Sequence, residues 1–187
     1  MQVTFTRTGE RRYAIVADRG GGSVVHMPRG PGYDPWLPHD LVHFVLERHL
    51  GIARGVFGQL AAGGTAGTFF TIPHRRRDRG RRISARLAAL GREDTARSER
   101  LAAACMAAWH ARHGRRWEFA GAVEGAEAAA VPEALLAELD DVAQRWHELA
   151  VGEALTMTWP ADLTFRPAGS ARGRRPSRDR GAVSRRR

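Results

Sequence analysis

Gln2-Val3-Thr4-Phe5-Thr6-Arg7, the turn pair Gly9-Glu10, and Tyr13-Ala14-Ile15-Val16-Ala17 form the stretch whose reading decides the fold. Val3 and Phe5 alternate with Thr4 and Thr6, the period-two pattern of a strand with one buried face. The second run is richer in apolar residues and predicts a more buried strand. Gly20-Gly21-Gly22 supplies a further turn, and Ser23-Val24-Val25-His26-Met27 a third short strand. Three consecutive strands joined by tight turns predict an antiparallel meander. Far along the chain, Ala154-Leu155-Thr156-Met157-Thr158-Trp159 alternates in the same way and predicts a closing strand.

The middle of the chain reads differently. Residues 28–38 hold four prolines and two glycines and predict a loop. Pro38 suits the first position of a helix, which the pattern carries to about Leu50 and stops at Gly51. A second helix is predicted over residues 54–62, ended by Gly63-Gly64. Thr68-Phe69-Phe70-Thr71-Ile72 is β-branched and aromatic and predicts a strand, followed by a basic loop over residues 74–82. From Ile83 the spacing becomes helical, with Leu101, Cys105, Ala108 and Arg112 on one face and Gly114 as the stop. A short strand is predicted over 116–123, and a low-complexity loop over 124–130. From Pro132 onward, Leu135, Leu139, Val142, Trp146 and Leu149 recur at steps of four and three, the clearest amphipathic helix in the chain. Strands, helices, a strand, helices and a strand in that order predict an α+β fold: an antiparallel sheet, made of the N-terminal meander and the C-terminal strand, packed against several helices.

Composition bounds the rest. The 187 residues suit a single globular domain over 1–165 and an arginine-rich tail over 166–187 that lacks the apolar surface to fold. The net charge of +10 is unevenly placed. The tail contributes +8 and residues 75–82 contribute +5, leaving −3 for the body. Every basic residue is arginine, a bias expected from GC-rich coding. The single Cys105 excludes an internal disulfide and fits a reducing, cytoplasmic setting. The sequence shows neither a signal-peptide pattern nor an apolar run near the ~20 residues of a membrane span.

Chemistry concentrates at Pro38-His39-Asp40-Leu41-Val42-His43, with Glu47 one turn on. At 100° per residue from His39, His43 falls at about 40°, Glu47 at about 80° and Asp40 at about 100°. The protonatable side chains therefore share one quadrant. His39 and His43 are spaced like the histidines of the H-E-x-x-H zinc motif, with aspartate for glutamate. This points to a divalent metal such as zinc held partly by His39 and His43, with Asp40 or Glu47 as base or supporting partner. His39 and Glu47 are separated by about 12 Å of helix rise, too far to grip one ion together. Further ligands must come from elsewhere, and His110 and His113, three apart near a helix end, are candidates along with His26 and His74. The competing expectation is helix-end chemistry, with Asp40 meeting the helix dipole and His43–Glu47 forming an exposed i,i+4 pair. Gly63-Gly64-Thr65-Ala66-Gly67 lacks the lysine of a phosphate loop. Cys105 reads as core.

Two other classes of function are open. The basic stretch 75–82 and the arginine-rich tail can contact nucleic acid nonspecifically through phosphates, although the tail has no aromatic residue for stacking. The loop carrying Trp36 can serve as a protein contact.

Pro31-Gly32-Tyr33-Asp34, the run Leu37 to Val45 with Glu47, and Gly55-Val56-Phe57-Gly58-Gln59-Leu60-Ala61-Ala62-Gly63-Gly64 resemble a family of uncharacterised actinobacterial proteins. The N-terminal strands and Leu155-Thr156-Met157-Thr158-Trp159-Pro160 are similar too. The resemblance covers most of residues 1–160 and implies no activity and no role for His39, Asp40, His43 or Glu47.

Overall fold

The computed structural model describes residues 1–30, 34–72, 77–117 and 130–167. Strands β1 (Gln2–Gly9), β2 (Arg12–Asp18) and β3 (Val24–Met27) form the expected meander. Helices α1 (His39–His49) and α2 (Val56–Ala61) follow, then strand β4 (Phe70–Ile72), the 36-residue helix α3 (Arg77–Arg112), helix α4 (Glu133–His147) and strand β5 (Ala154–Thr158). All five strands join one antiparallel sheet in the order β4-β3-β2-β1-β5. The α+β expectation therefore holds, and the 68–72 strand extends the meander at its free edge.

Alternation positions the core. Val3, Phe5, Tyr13, Ile15, Ala17, Val25, Met27, Leu155 and Met157 are buried on the sheet face that the helices cover. Thr4 and Thr156 point the other way and hydrogen-bond at 2.9 Å across β1 and β5. Gly20, Gly21 and Gly22 carry φ of +80°, +60° and +76°, a turn that a side chain would strain. Phe5, Phe44, Phe57 and Trp159 pack ring against ring at centroid distances of 5.0 to 6.3 Å, locking α1 and α2 onto the sheet.

Helix α1 lies at the centre of the molecule. Every residue from Asp40 to Glu47 is buried, because the sheet, α3 and α4 enclose it. Of the polar quadrant, His43 and Glu47 face α3, Asp40 faces β2, and His39 stays partly exposed. At its far end Arg48 and His49 both pair with Glu138 of α4.

Several boundaries differ from the sequence reading. Pro38 is the N-cap of α1 rather than its first residue, its carbonyl accepting from Leu41 and Val42 N–H. This places Asp40 second in the helix. Helix α2 starts at Val56 because Gly55 is extended and caps it. The 68–72 strand is shortened to Phe70–Ile72, since Thr68 and Phe69 fold back onto the Thr65 carbonyl. The predicted basic loop is mostly helix: α3 begins at Arg77 and runs through Arg82, arginine being a good helix former. Arg112 is not on the core face; it reaches Glu133 and Asp140. The predicted strand over 116–123 falls largely outside the described residues, as do His74 and the tail beyond residue 167.

Candidate metal centre

His39 and His43 are one turn apart at the start of α1, so both side chains leave the same face. That face meets α3 at Ser98 and Glu99. His43 Nε2 lies 3.3 Å from His39 Nε2 and 3.4 Å from Glu99 Oε2, and His39 Nε2 lies 3.8 Å from the same oxygen. A point equidistant from the corners of that triangle is about 2.0 Å from each, the length of a zinc–nitrogen or zinc–carboxylate bond. Among the described residues this is the only grouping of three histidine, cysteine or acidic side chains with metal-ligand spacing.

The buried side of the site fixes the chemistry of His43. Its Nδ1 is 2.8 Å from Ser98 Oγ, and Ser98 Oγ is 2.8 Å from Glu47 Oε1. Glu47 also accepts the Val56 N–H on Oε1 at 2.9 Å and the Phe57 N–H on Oε2 at 3.0 Å. All three partners are donors, so the geometry demands a carboxylate. The single hydroxyl proton of Ser98 is spent on Glu47, which leaves Ser98 Oγ to accept from His43 Nδ1–H. Neutral His43 therefore carries its proton on Nδ1 and turns the Nε2 lone pair toward His39 and Glu99. Metal-ligating histidines are oriented in this way, by a hydrogen bond at the other ring nitrogen. Glu47, Ser98 and His43 are all buried, so the relay is held away from water.

Electrostatics act on each group. Burial pulls His43 down, but the hydrogen bond and charge of Glu99, together with Glu47 and Asp40, outweigh it, so its pKa stands above the ordinary imidazole value. Burial, reinforced by His43, lowers His39. Glu99 is lowered, chiefly by its hydrogen bond with His43. Burial raises Glu47 against the opposing pull of its partners. Two imidazole nitrogens and a carboxylate oxygen thus converge, an arrangement that a divalent cation satisfies.

Glu47 is not part of the triangle. It closes the N-terminus of α2, where it supplies the acceptor that a capping side chain at Gly55 would have provided. A Cβ at Gly55 would lie 2.2 Å from Glu47 Oε1, so any larger residue there would displace the carboxylate from its hydrogen bonds. Asp40, the other expected base, is buried against β2, where it accepts the Tyr13 hydroxyl at 2.5 Å. Burial raises its pKa.

The proposed additional ligands do not converge on His39. His110 lies eleven residues beyond Glu99, about 16 Å along α3. Its Nε2 is 2.9 Å from Asp34 Oδ2. His113 pairs with Asp140 at 2.6 Å. His26 packs against Phe70 on the sheet edge. Trp36 is half exposed but carries the Arg115 guanidinium 3.7 Å above its ring.

Glu99 and Ser98 went unread in the sequence. Ser98 had a signal: it stands seven residues before Cys105 and eleven before Trp109, a polar side chain on an otherwise apolar stripe. Glu99 had none, being one of many charges on a solvated helix.

No protein-family model matches the chain, and neither the curated proteins nor the solved structures give a match. Among the described residues no helix is long and apolar enough to cross a membrane.

Proposed function

We propose that this chain is a divalent-metal-binding domain that holds one ion on His39 Nε2, His43 Nε2 and Glu99, with zinc the best match to two imidazoles and a carboxylate. Three protein ligands leave a coordination position for water or substrate. The Glu99 and His39 side chains are 56% and 42% exposed, so that position opens to solvent. A centre of this type polarises a carbonyl or phosphoryl oxygen and lowers the pKa of bound water, which is hydrolytic chemistry. The observation that carries the reading is the 3.3, 3.4 and 3.8 Å triangle backed by the Glu47–Ser98–His43 relay.

Cobalt(II) substitution tests the ligand set. The full-length chain stripped of metal should develop visible ligand-field bands on titration with one equivalent of cobalt. Glu99→Ala and His43→Ala should weaken cobalt uptake at least tenfold. Bands that persist unchanged in the His39/His43/Glu99 triple alanine variant would place the metal elsewhere.

A further inference from the structure

A second polar cluster closes the C-terminal end of α3. The helix stops at Arg112, and Gly114, at φ +65°, turns the chain back so that the Arg115 N–H donates to the His110 carbonyl at 2.8 Å. That return lays the Arg115 guanidinium over the Trp36 ring, 3.7 Å from its centre, with the Trp109 ring centre 5.3 Å away. The loop carrying Trp36 is tied to the same helix end. Asp34 Oδ1 accepts the Trp36 and Leu37 N–H groups at 2.8 and 3.1 Å, and Asp34 Oδ2 lies 2.9 Å from His110 Nε2. Asp34, Trp36, Trp109, His110 and Arg115 therefore form one closed circuit of contacts between the loop and the helix end.

Two polar atoms of that circuit lack a bonding partner. His110 is 4% exposed, and its Nδ1 is buried with no hydrogen bond among the described residues. Arg115 Nη1 is buried and unbonded in the same way. A buried donor or acceptor without a partner costs free energy, so each is a point at which a ligand gains. Asp34 fixes the role of His110. A carboxylate only accepts, so His110 carries a proton on Nε2, and in the neutral ring Nδ1 is then a lone pair. Arg115 can only donate. The acids at hand are already engaged. Asp34 holds His110 and two backbone N–H groups, while Asp140 takes the Trp109 indole N–H at 2.8 Å, His113 at 2.6 Å and Arg112 at 3.1 Å. Arg115 makes no ion pair with any described residue, although a tryptophan ring covers one of its faces. The group that suits both atoms is anionic, accepts from a guanidinium and donates to an imidazole. Hydrogen phosphate has all three properties, since its oxygens match the guanidinium and it keeps one hydroxyl at neutral pH. Sulfate has the same shape and charge without the hydroxyl.

We propose that His110 and Arg115 form a binding site for hydrogen phosphate, in which a phosphate oxygen accepts from Arg115 Nη1 and the phosphate hydroxyl donates to His110 Nδ1. The half-exposed Trp36 marks the side from which the ion enters. The site is independent of the metal reading, His110 standing about 16 Å along α3 from Glu99. Inorganic phosphate is titrated calorimetrically into the full-length chain stripped of metal, because phosphate also ligates zinc. The same titration is made on Arg115→Ala, His110→Gln and Arg116→Ala, and sulfate replaces phosphate in a parallel series. His110→Gln keeps an N–H for Asp34 and removes the ring acceptor, while Arg116 is the exposed neighbour. The expected result is one phosphate per chain. Affinity should fall at least tenfold in Arg115→Ala and in His110→Gln and stay unchanged in Arg116→Ala, and sulfate should bind at least tenfold more weakly than phosphate. No saturable phosphate binding, binding indifferent to Arg115 or His110, or sulfate bound as tightly as phosphate overturns the site. Should His110→Gln fail to fold, Arg115→Ala and the sulfate comparison decide the matter.

Discussion

Replacing Glu47 with glutamine changes one oxygen to an amide nitrogen and keeps the shape. The carboxylate accepts three hydrogen bonds at 2.8 to 3.0 Å while buried. In the best orientation, glutamine keeps its carbonyl toward Val56 N–H and Ser98 O–H. Its NH₂ then faces the Phe57 N–H, donor against donor. A hydrogen bond to a charged group contributes about 1.5–3 kcal/mol, and a buried donor left unsatisfied costs about 1–3 kcal/mol. The two surviving bonds also lose their charge assistance. Glu47→Gln should therefore destabilise the fold by about 3 kcal/mol. Urea denaturation followed by tryptophan fluorescence reads this as a lower midpoint with an unchanged slope. A loss under about 0.5 kcal/mol, within the range of ordinary surface substitutions, would refute the claim that Glu47 joins α1, α2 and α3.

Ser98→Ala removes the acceptor of His43 Nδ1–H and frees the ring to turn, so zinc affinity should fall about 10- to 100-fold with the fold retained; competition against a chromophoric chelator measures it. Gly55→Ala drives a methyl into Glu47 Oε1 and breaks the same bonds as Glu47→Gln. The two losses should then be far from additive in a double-mutant cycle, and simple additivity would separate the sites. Burial pushes the Cys105 thiol up to about 12, so at pH 8 a disulfide reagent should label it at least about a hundredfold faster in the unfolded than in the native chain. Because that pKa is raised in the fold, the thiol's contribution is intact below pH 9 and is lost as pH climbs toward 12. Stability should accordingly decline with rising pH above 9, as thermal melts would show.

The sheet was legible because alternation is local: Val3 and Phe5, or Leu155 and Met157, reveal their face without reference to a partner. The same holds for α4, whose Leu135, Leu139, Val142 and Trp146 stripe is buried as the spacing requires. Glycine and proline punctuation placed the elements but missed their ends, since Pro38 and Gly55 act as caps just outside the helices they precede. The expectation of an exposed His43–Glu47 pair on α1 fails for a physical reason, since both side chains are buried. His43 and Glu47 are balanced by Ser98, 55 and 51 residues away on α3, and Asp40 by Tyr13 on β2, and such pairing leaves no trace in local periodicity. The nearness of His39 and His43 was therefore legible, while the third corner, Glu99, and the Ser98 link required the fold. Glu47 was recognised as chemically unusual, but its partners, two backbone N–H groups of α2, carry no side-chain signature.

Calorimetric titration of the chelator-stripped full-length chain with zinc, alongside its Glu99→Ala and His43→Ala variants, tests the central claim most directly. The account predicts one zinc per chain with a dissociation constant below about a micromolar, weakened at least tenfold in each variant while the fold persists. Absence of zinc binding, or equal binding by the variants, would contradict it and leave the cluster as a buried polar join between α1 and α3.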